Sequence, residues 1–155
     1  MNMMSTPTHQ EPGCELCVQP GGVLLWREAD WRVVRVEDTA FPGFYRLISN
    51  HHAAEFSQLS PAARARCLHL LVWLETLVIQ HLRPTKINLA SLGNVVPHLH
   101  WHVVARFEWD GHFPSPIWAQ AQRLAPPESL LRIQSLLSGL DAAVAAGPEV
   151  SAVAQ

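Results

Sequence analysis

The segment NVVPHLHWHVVAR, Asn94 to Arg106, sets His98, His100 and His102 at every second position, and GCELCV places Cys14 and Cys17 three apart. On an extended strand, side chains at i, i+2 and i+4 share a face, so the three imidazoles point together while Leu99, Trp101 and Val103 pack behind them. An imidazole can ligate a metal, join a buried polar seam, or attack phosphorus and move protons near neutral pH. Buried without a polar task, each ring would cost about 1–3 kcal/mol unless hydrogen-bonded, which counts against a purely structural seam. Strand geometry counts against one shared metal. Neighbouring members stand about 6–7 Å apart and the outer two about 13 Å apart, whereas a metal holds each nitrogen at about 2.0–2.1 Å. Serial contacts along a chain of phosphates suit the row better. The Cys-x-x-Cys pair offers half of a tetrahedral zinc site, and no helix start after a βα turn follows it, as a redox motif would require. Two unremarkable thiols are the plain alternative.

The elements that must position these residues are readable from pattern. VLLWREADWRVVRVED suggests two short strands turning at Ala29-Asp30, and FYRLISN a third that ends at His51-His52. SPAARARCLHLLVWLETLVIQHLRP is the strongest helix, with Ser60 as cap, Pro61 in the first turn and Arg83-Pro84 at its end. Leu68, Leu71, Val72, Leu74, Glu75, Leu77, Val78 and Leu82 form its expected face. Cys67 falls on that helix as a core residue. KINLASLG returns as a strand, Gly93-Asn94 punctuates, and the histidine segment is the fifth strand. DGHFPSPIW is a Pro-rich loop, and a last helix runs from about Pro127 to Ala146. Strands that flank one long helix without strand–helix alternation predict an α+β fold with a mainly antiparallel five-stranded sheet.

Bulk composition sets the limits. The 155 residues are 48% hydrophobic, enough for one domain with a real core. A net charge of -2 gives no support for a nucleic-acid groove or an anionic membrane partner. LHLLVWLETLVIQHL is interrupted by His69, Glu75, Gln80 and His81, so it is no membrane span. MNMMSTPTHQEP lacks a signal-peptide pattern, and three cysteines do not make a disulfide framework. The expectation is a cytoplasmic protein with a disordered leader over residues 1–12 and a frayed small-residue tail.

His98-Leu-His100-Trp-His102-Val-Val resembles the histidine-triad motif, His-φ-His-φ-His-φ-φ with φ apolar. RLISNHH resembles that family's strand leading to an isolated histidine, and NLASLGNVVPHLHWHVV its approach to the triad. The resemblance covers roughly residues 14–118. It implies a histidine-triad domain over 13–118, a C-terminal helical extension and tail over 119–155, and a homodimer. It further implies a hydrolase or transferase that attacks the α-phosphate of a nucleoside phosphate through a nucleotidyl-histidine. A dinucleoside polyphosphate such as diadenosine tetraphosphate, or a nucleoside phosphoramidate, is the substrate class, with no organic cofactor.

By the same resemblance His100 is the nucleophile, His102 contacts and aligns the phosphate, and His98 orients its neighbours or serves a metal. Asn88 matches a phosphate-touching Asn or Gln, with one residue of gap. Gly93, Asn94 and Val95 form the loop that approaches the phosphate, although Val95 stands where many members carry a hydroxyl. Some relatives close a structural Cys₂His₂ zinc site, and here its ligands would be Cys14, Cys17, His52 and His98, with His51 the neighbouring alternative to His52. No carboxylate cluster suited to magnesium is visible, so the chemistry itself is expected to be metal-independent. Phe41, Phe44 and Trp26 are candidates for an apolar base pocket, Trp118 for packing or a pocket wall, and His112 for a loop residue. Two other functions fit the residues. One is a nucleotide-binding regulator with negligible turnover, which would form no adduct. The other is a metal-dependent hydrolase using triad histidines as ligands, which chelation would inactivate.

Overall fold

Strand alternation sorts the side chains of this chain onto two faces with different tasks. The structure, a computed structural model, describes residues 9–149; most of the expected leader and the end of the expected tail lie outside them. Five strands, β1 (Val23–Arg27), β2 (Trp31–Arg35), β3 (Phe44–Ser49), β4 (Lys86–Ala90) and β5 (His100–Arg106), form one sheet in the order β1-β2-β3-β5-β4. Every neighbouring pair is antiparallel, as the α+β reading expects.

One face carries Trp31, Val33, Tyr45, Leu47, Ile87, Val103 and Ala105, all buried under two helices. Helix α2 (Pro61–Leu82) follows β3 and leads into β4. Ser60 Oγ accepts the Ala63 N–H at 3.1 Å, and Pro61 occupies the first turn. The helix stops at Arg83, which adopts a left-handed φ of 47° and donates its N–H to the Ile79 carbonyl. Its buried stripe is Cys67, Leu70, Leu71, Leu74, Val78 and Leu82, so the expected face is rotated: Leu68 and Val72 are exposed. The sheet takes the i, i+3, i+4, i+7 row that starts at Cys67, and burial pushes that thiol up to about 12.

Helix α3 (Pro127–Ala145) inserts Ile133, Leu137, Leu140 and Val144 into the same core. Asp141 anchors it by accepting from Arg35 Nε and Tyr45 Oη, both at 2.9 Å. The residues after the histidine strand therefore help to build the core that the strand rests on.

The other face is open, and register fixes its members. Arg46 pairs with His102, Ile48 with His100, Asn88 with Val104, and Val34 with Arg46. Only small apolar clusters cover it. Leu16, from the helical turn α1 (Glu15–Val18), packs with Val34 and Ile48, while Phe41 packs with Phe44 and Val104.

Candidate active site and adjoining metal-ligand cluster

The expected strand of three histidines is shorter than predicted: β5 begins at His100, and His98 precedes it. Pro97 has no N–H for a ladder, and His98 turns back to donate its own N–H to the Val96 carbonyl at 2.8 Å. Leu99 then rejoins the sheet region, donating to Ala53 and accepting from Ser49. The bend aims His98 away from the other two rings.

His100 is buried, and its Nδ1 lies 2.6 Å from the His98 carbonyl oxygen. A carbonyl only accepts, so Nδ1 carries the hydrogen and Nε2 keeps the lone pair. The His102 ring stands edge-on to His100, with centroids 4.9 Å apart. That is closer than the backbone spacing alone suggested, because the rings lean together. Trp118 and Phe44 touch His102 from two sides at 5.0 and 5.4 Å between centroids. Burial first, then the charges of His100 and Arg46, push His102 down to about 4. Burial likewise holds His100 below the usual histidine range, against the favourable bond to His98. Both rings are neutral at pH 7.

These two histidines open onto a cavity of about 480 Å³ whose wall includes Arg46, Leu92, Gly93, Asn94, Val95 and Trp118. Gly93 holds a φ of 74°, a region that side-chain-bearing residues avoid, and so lets the loop turn over the pocket. Val95 lines the cavity but is 93% exposed and has no side-chain donor. Asn88 is placed differently from the loop residues. It lines a neighbouring cavity of about 720 Å³ that shares Leu92 and Trp118 with the first. Its Oδ1 accepts from Arg106 Nη1 at 2.7 Å, which leaves the amide NH₂ as its donating end. Arg106 is locked in turn by Asp110 at 2.8 and 3.0 Å. Burial alone would raise the Asp110 carboxyl; Arg106 and the backbone N–H groups of His112 and Phe107 outweigh it and hold it low.

At the far side of His98, the ligand atoms of Cys14, Cys17, His52 and His98 all lie within 4.8 Å of one another. His98 Nδ1 is 3.4 Å from Cys14 Sγ and 3.5 Å from Cys17 Sγ, and His52 Nδ1 is 3.5 Å from Cys17 Sγ. A tetrahedron with zinc–sulfur bonds of about 2.3 Å and zinc–nitrogen bonds of about 2.0–2.1 Å separates S from N by about 3.5 Å, so the donor set fits that ion. His98 Nε2 donates to the Ser49 carbonyl at 2.7 Å, which frees Nδ1 as the ligand atom. His51 faces elsewhere, with Nε2 2.7 Å from Asp30 Oδ1.

Four groups important here were not singled out by sequence. Arg32 makes hydrogen bonds to the carbonyls of Leu16, Gln19, Pro20 and Ser49 and to Asn50 Oδ1, seating the cysteine turn on the sheet. Arg46 lines the cavity from β3, and Arg106 with Asp110 fixes Asn88. An arginine inside an apolar strand such as FYRLIS or WRVVR was the available signal. Trp118, weighed as packing or pocket wall, forms part of both cavity walls and is half exposed. Phe41, Phe44 and Trp26 do not line the triad cavity; the first two pack with Val104, and Trp26 packs on Trp73. The strand pleat turns Trp26 toward the helices, and the small cluster beside Val104 absorbs the two phenylalanines.

Comparison with known proteins agrees with this geometry. Residues 22–109 match the model of the HIT domain. A histidine triad protein from Bradyrhizobium japonicum is 25% identical, with a TM-score of 0.65, over 78% of this chain and 89% of that one. One from Marinobacter aquaeolei is 24% identical, with a TM-score of 0.62, over the same shares of 78% and 89%. A Zn-bound histidine triad family protein from Mycobacterium smegmatis shares the fold at 16% identity and a TM-score of 0.50, over 79% and 88%. No curated protein matches the chain. The domain match spans more than half of the sequence and contains the whole triad, and on that ground the chain belongs to the histidine triad, or HIT, domain family.

Proposed function

We propose that this protein is a nucleotide hydrolase or nucleotidyl transferase acting at the α-phosphate of a dinucleoside polyphosphate or nucleoside phosphoramidate. The observation that carries this reading is the His100 tautomer: Nδ1–H is spent on the His98 carbonyl, leaving Nε2 as the free nitrogen of a residue on the cavity wall. Nε2 attacks the α-phosphorus, and the bond to the leaving oxygen or nitrogen breaks, giving a nucleotidyl-histidine. From the wall of the same cavity the backbone of Gly93, Asn94 and Val95 and the His102 ring would contact the phosphate oxygens, and Asn88 would offer its amide from the adjoining cavity. Water then attacks phosphorus, releasing a nucleoside monophosphate and restoring His100.

Cys14, Cys17, His52 and His98 would hold a structural zinc. Four protein ligands leave no open position, so its contribution is to the fold. That a fold neighbour from Mycobacterium smegmatis is Zn-bound supports zinc as the ion. Reduced thiols at metal-ligand spacing suit the cytoplasm, and among the described residues no helix is long and apolar enough to cross a membrane. The proposed assembly is a homodimer.

The test is His100→Ala. Turnover of diadenosine tetraphosphate and of an adenosine phosphoramidate should vanish, while adenosine monophosphate affinity stays within about tenfold, as expected when only a transition-state contact is lost. A nucleotidyl adduct should be visible by intact mass in the wild type and absent from the variant. Wild-type turnover in His100→Ala, or tight nucleotide binding with neither adduct nor turnover in the parent, overturns the enzymatic reading.

A further inference from the structure

Three arginines lie on the open face of the sheet, and their donors are used very differently. Arg32 directs its guanidinium to five acceptors around the cysteine turn. Arg106 serves Asp110, Asn88 and the Ser115 carbonyl. Arg46 makes one hydrogen bond among the described residues, from Nη1 to the Gly21 carbonyl at 3.2 Å. Its Nε is buried and has no partner there. A guanidinium has five N–H donors, and a buried one without an acceptor is costly until an acceptor arrives.

Its position says which acceptor that is. Arg46 pairs directly across from His102 in the β3–β5 register and lines the same cavity as His100 and His102. Glu15 is on that wall too, yet no ion pair joins it to Arg46 among the described residues. Phe44 lies beneath the guanidinium, 5.5 Å from ring centre to Cζ, and restricts where it can swing. Val95, also on the cavity wall, contributes no side-chain donor to an anion.

We infer that Arg46 is the phosphate anchor of this pocket, donating from Nε and Nη2 to non-bridging oxygens of the phosphate that His100 reaches. The inference rests on the reading of this cavity as a nucleoside-phosphate site. The planar fork gives two parallel bonds to one phosphate, which a lysine ammonium does not reproduce. Arg46 thereby supplies positive charge to a pocket in a protein of net charge -2.

Titration calorimetry of full-length wild type, Arg46→Gln, Arg46→Lys and His100→Ala with adenosine and guanosine monophosphates, and with the two free nucleosides, tests this. Arg46→Gln should weaken monophosphate binding by about 10- to 100-fold, the worth of one or two charge-assisted bonds, and leave free-nucleoside binding unchanged. Arg46→Lys should recover part of the loss, and His100→Ala should stay within about tenfold of the parent. If the glutamine variant does not fold, the Nε–H resonance of Arg46 in the wild type is the second readout. It should shift when monophosphate is added and stay in place with the free nucleoside. Wild-type affinity in a folded Arg46→Gln, or an unmoved resonance in a protein that binds monophosphate, overturns the anchor alone. A wild type that binds neither monophosphate overturns the nucleotide reading and the anchor with it.

Discussion

His102 shows how much an ordinary residue is changed by where the strand puts it. Only 5% exposed and pressed between His100, Phe44 and Trp118, it takes a proton only near pH 4. In the unfolded chain it would do so near 6.5. As pH falls below 6.5 the unfolded state gains a proton that the folded state refuses, so folding stability must decline through the window down to about 4. The loss reaches on the order of 3 kcal/mol. His102→Gln should flatten that part of the stability curve, measured as denaturant midpoint against pH; parallel curves for the two proteins would refute the assignment. At this scale the sequence was informative about residue type and poor on direction. The alternation placed His100 and His102 on one face, and the spacing in VPHLHWH could not show that Pro97 bends His98 off it. Arg46, a lone arginine in FYRLIS, belongs to no motif; its meaning comes from the strand beside it.

The helical turn α1 is too short to hold itself together, and its place is set by what grips it. Arg32 reaches the Leu16 and Gln19 carbonyls at 2.7 and 3.2 Å, and the two cysteines of the turn meet His52 and His98. Metal binding at such a cluster is folding free energy, since the ligands are scattered in the unfolded chain. Cys14→Ser should therefore purify with well under one zinc per chain and lose at least about 2 kcal/mol, or roughly 5 °C in melting temperature. Chelation of the wild type should reproduce that loss. A wild type that is metal-free after mild purification, and as stable as the variant, would contradict the site. The choice of His52 over its neighbour could be approached from sequence by counting back from EFSQLS. What separates the two is visible only in three dimensions, where His52 joins the cysteine cluster and His51 is turned toward Asp30.

At the scale of the molecule, the sheet order β1-β2-β3-β5-β4 leaves β4 as an edge. Next to that edge, α2 shows solvent Leu68, Val72 and Ile79, and β4 shows Leu89. Glu75 from the same side of the helix lines a cavity with Lys86–Ala90, so the helix stripe and the strand edge form one surface. An unpaired edge beside an apolar stripe is what a twofold partner would cover, continuing the sheet across the pair. The proposed homodimer should therefore split when Val72 and Ile79 are both changed to glutamate, with the mass by light scattering falling to that of one chain. A variant that stays dimeric places the interface elsewhere. The two long helices, the strand count and the antiparallel pairing were legible from period and punctuation, whereas the short turn α1 was not. The rotation of α2 was not, since its apolar residues surround most of the helix and only packing against Tyr45 and Leu47 selects Cys67, Leu70 and Leu74.

The Ser49 carbonyl accepts from both Arg32 and His98, joining the cysteine turn to the start of the histidine strand. Cys14 and His98 are 84 positions apart, and Cys17 and His52 are 35 apart. Bringing ends that distant together has an entropy cost that only a finished sheet can offset. The expected order in refolding is therefore sheet first and ligand cluster afterwards. A thiol-sensitive or metal-sensitive signal from it would report completion of the sheet, arriving after the helices have formed.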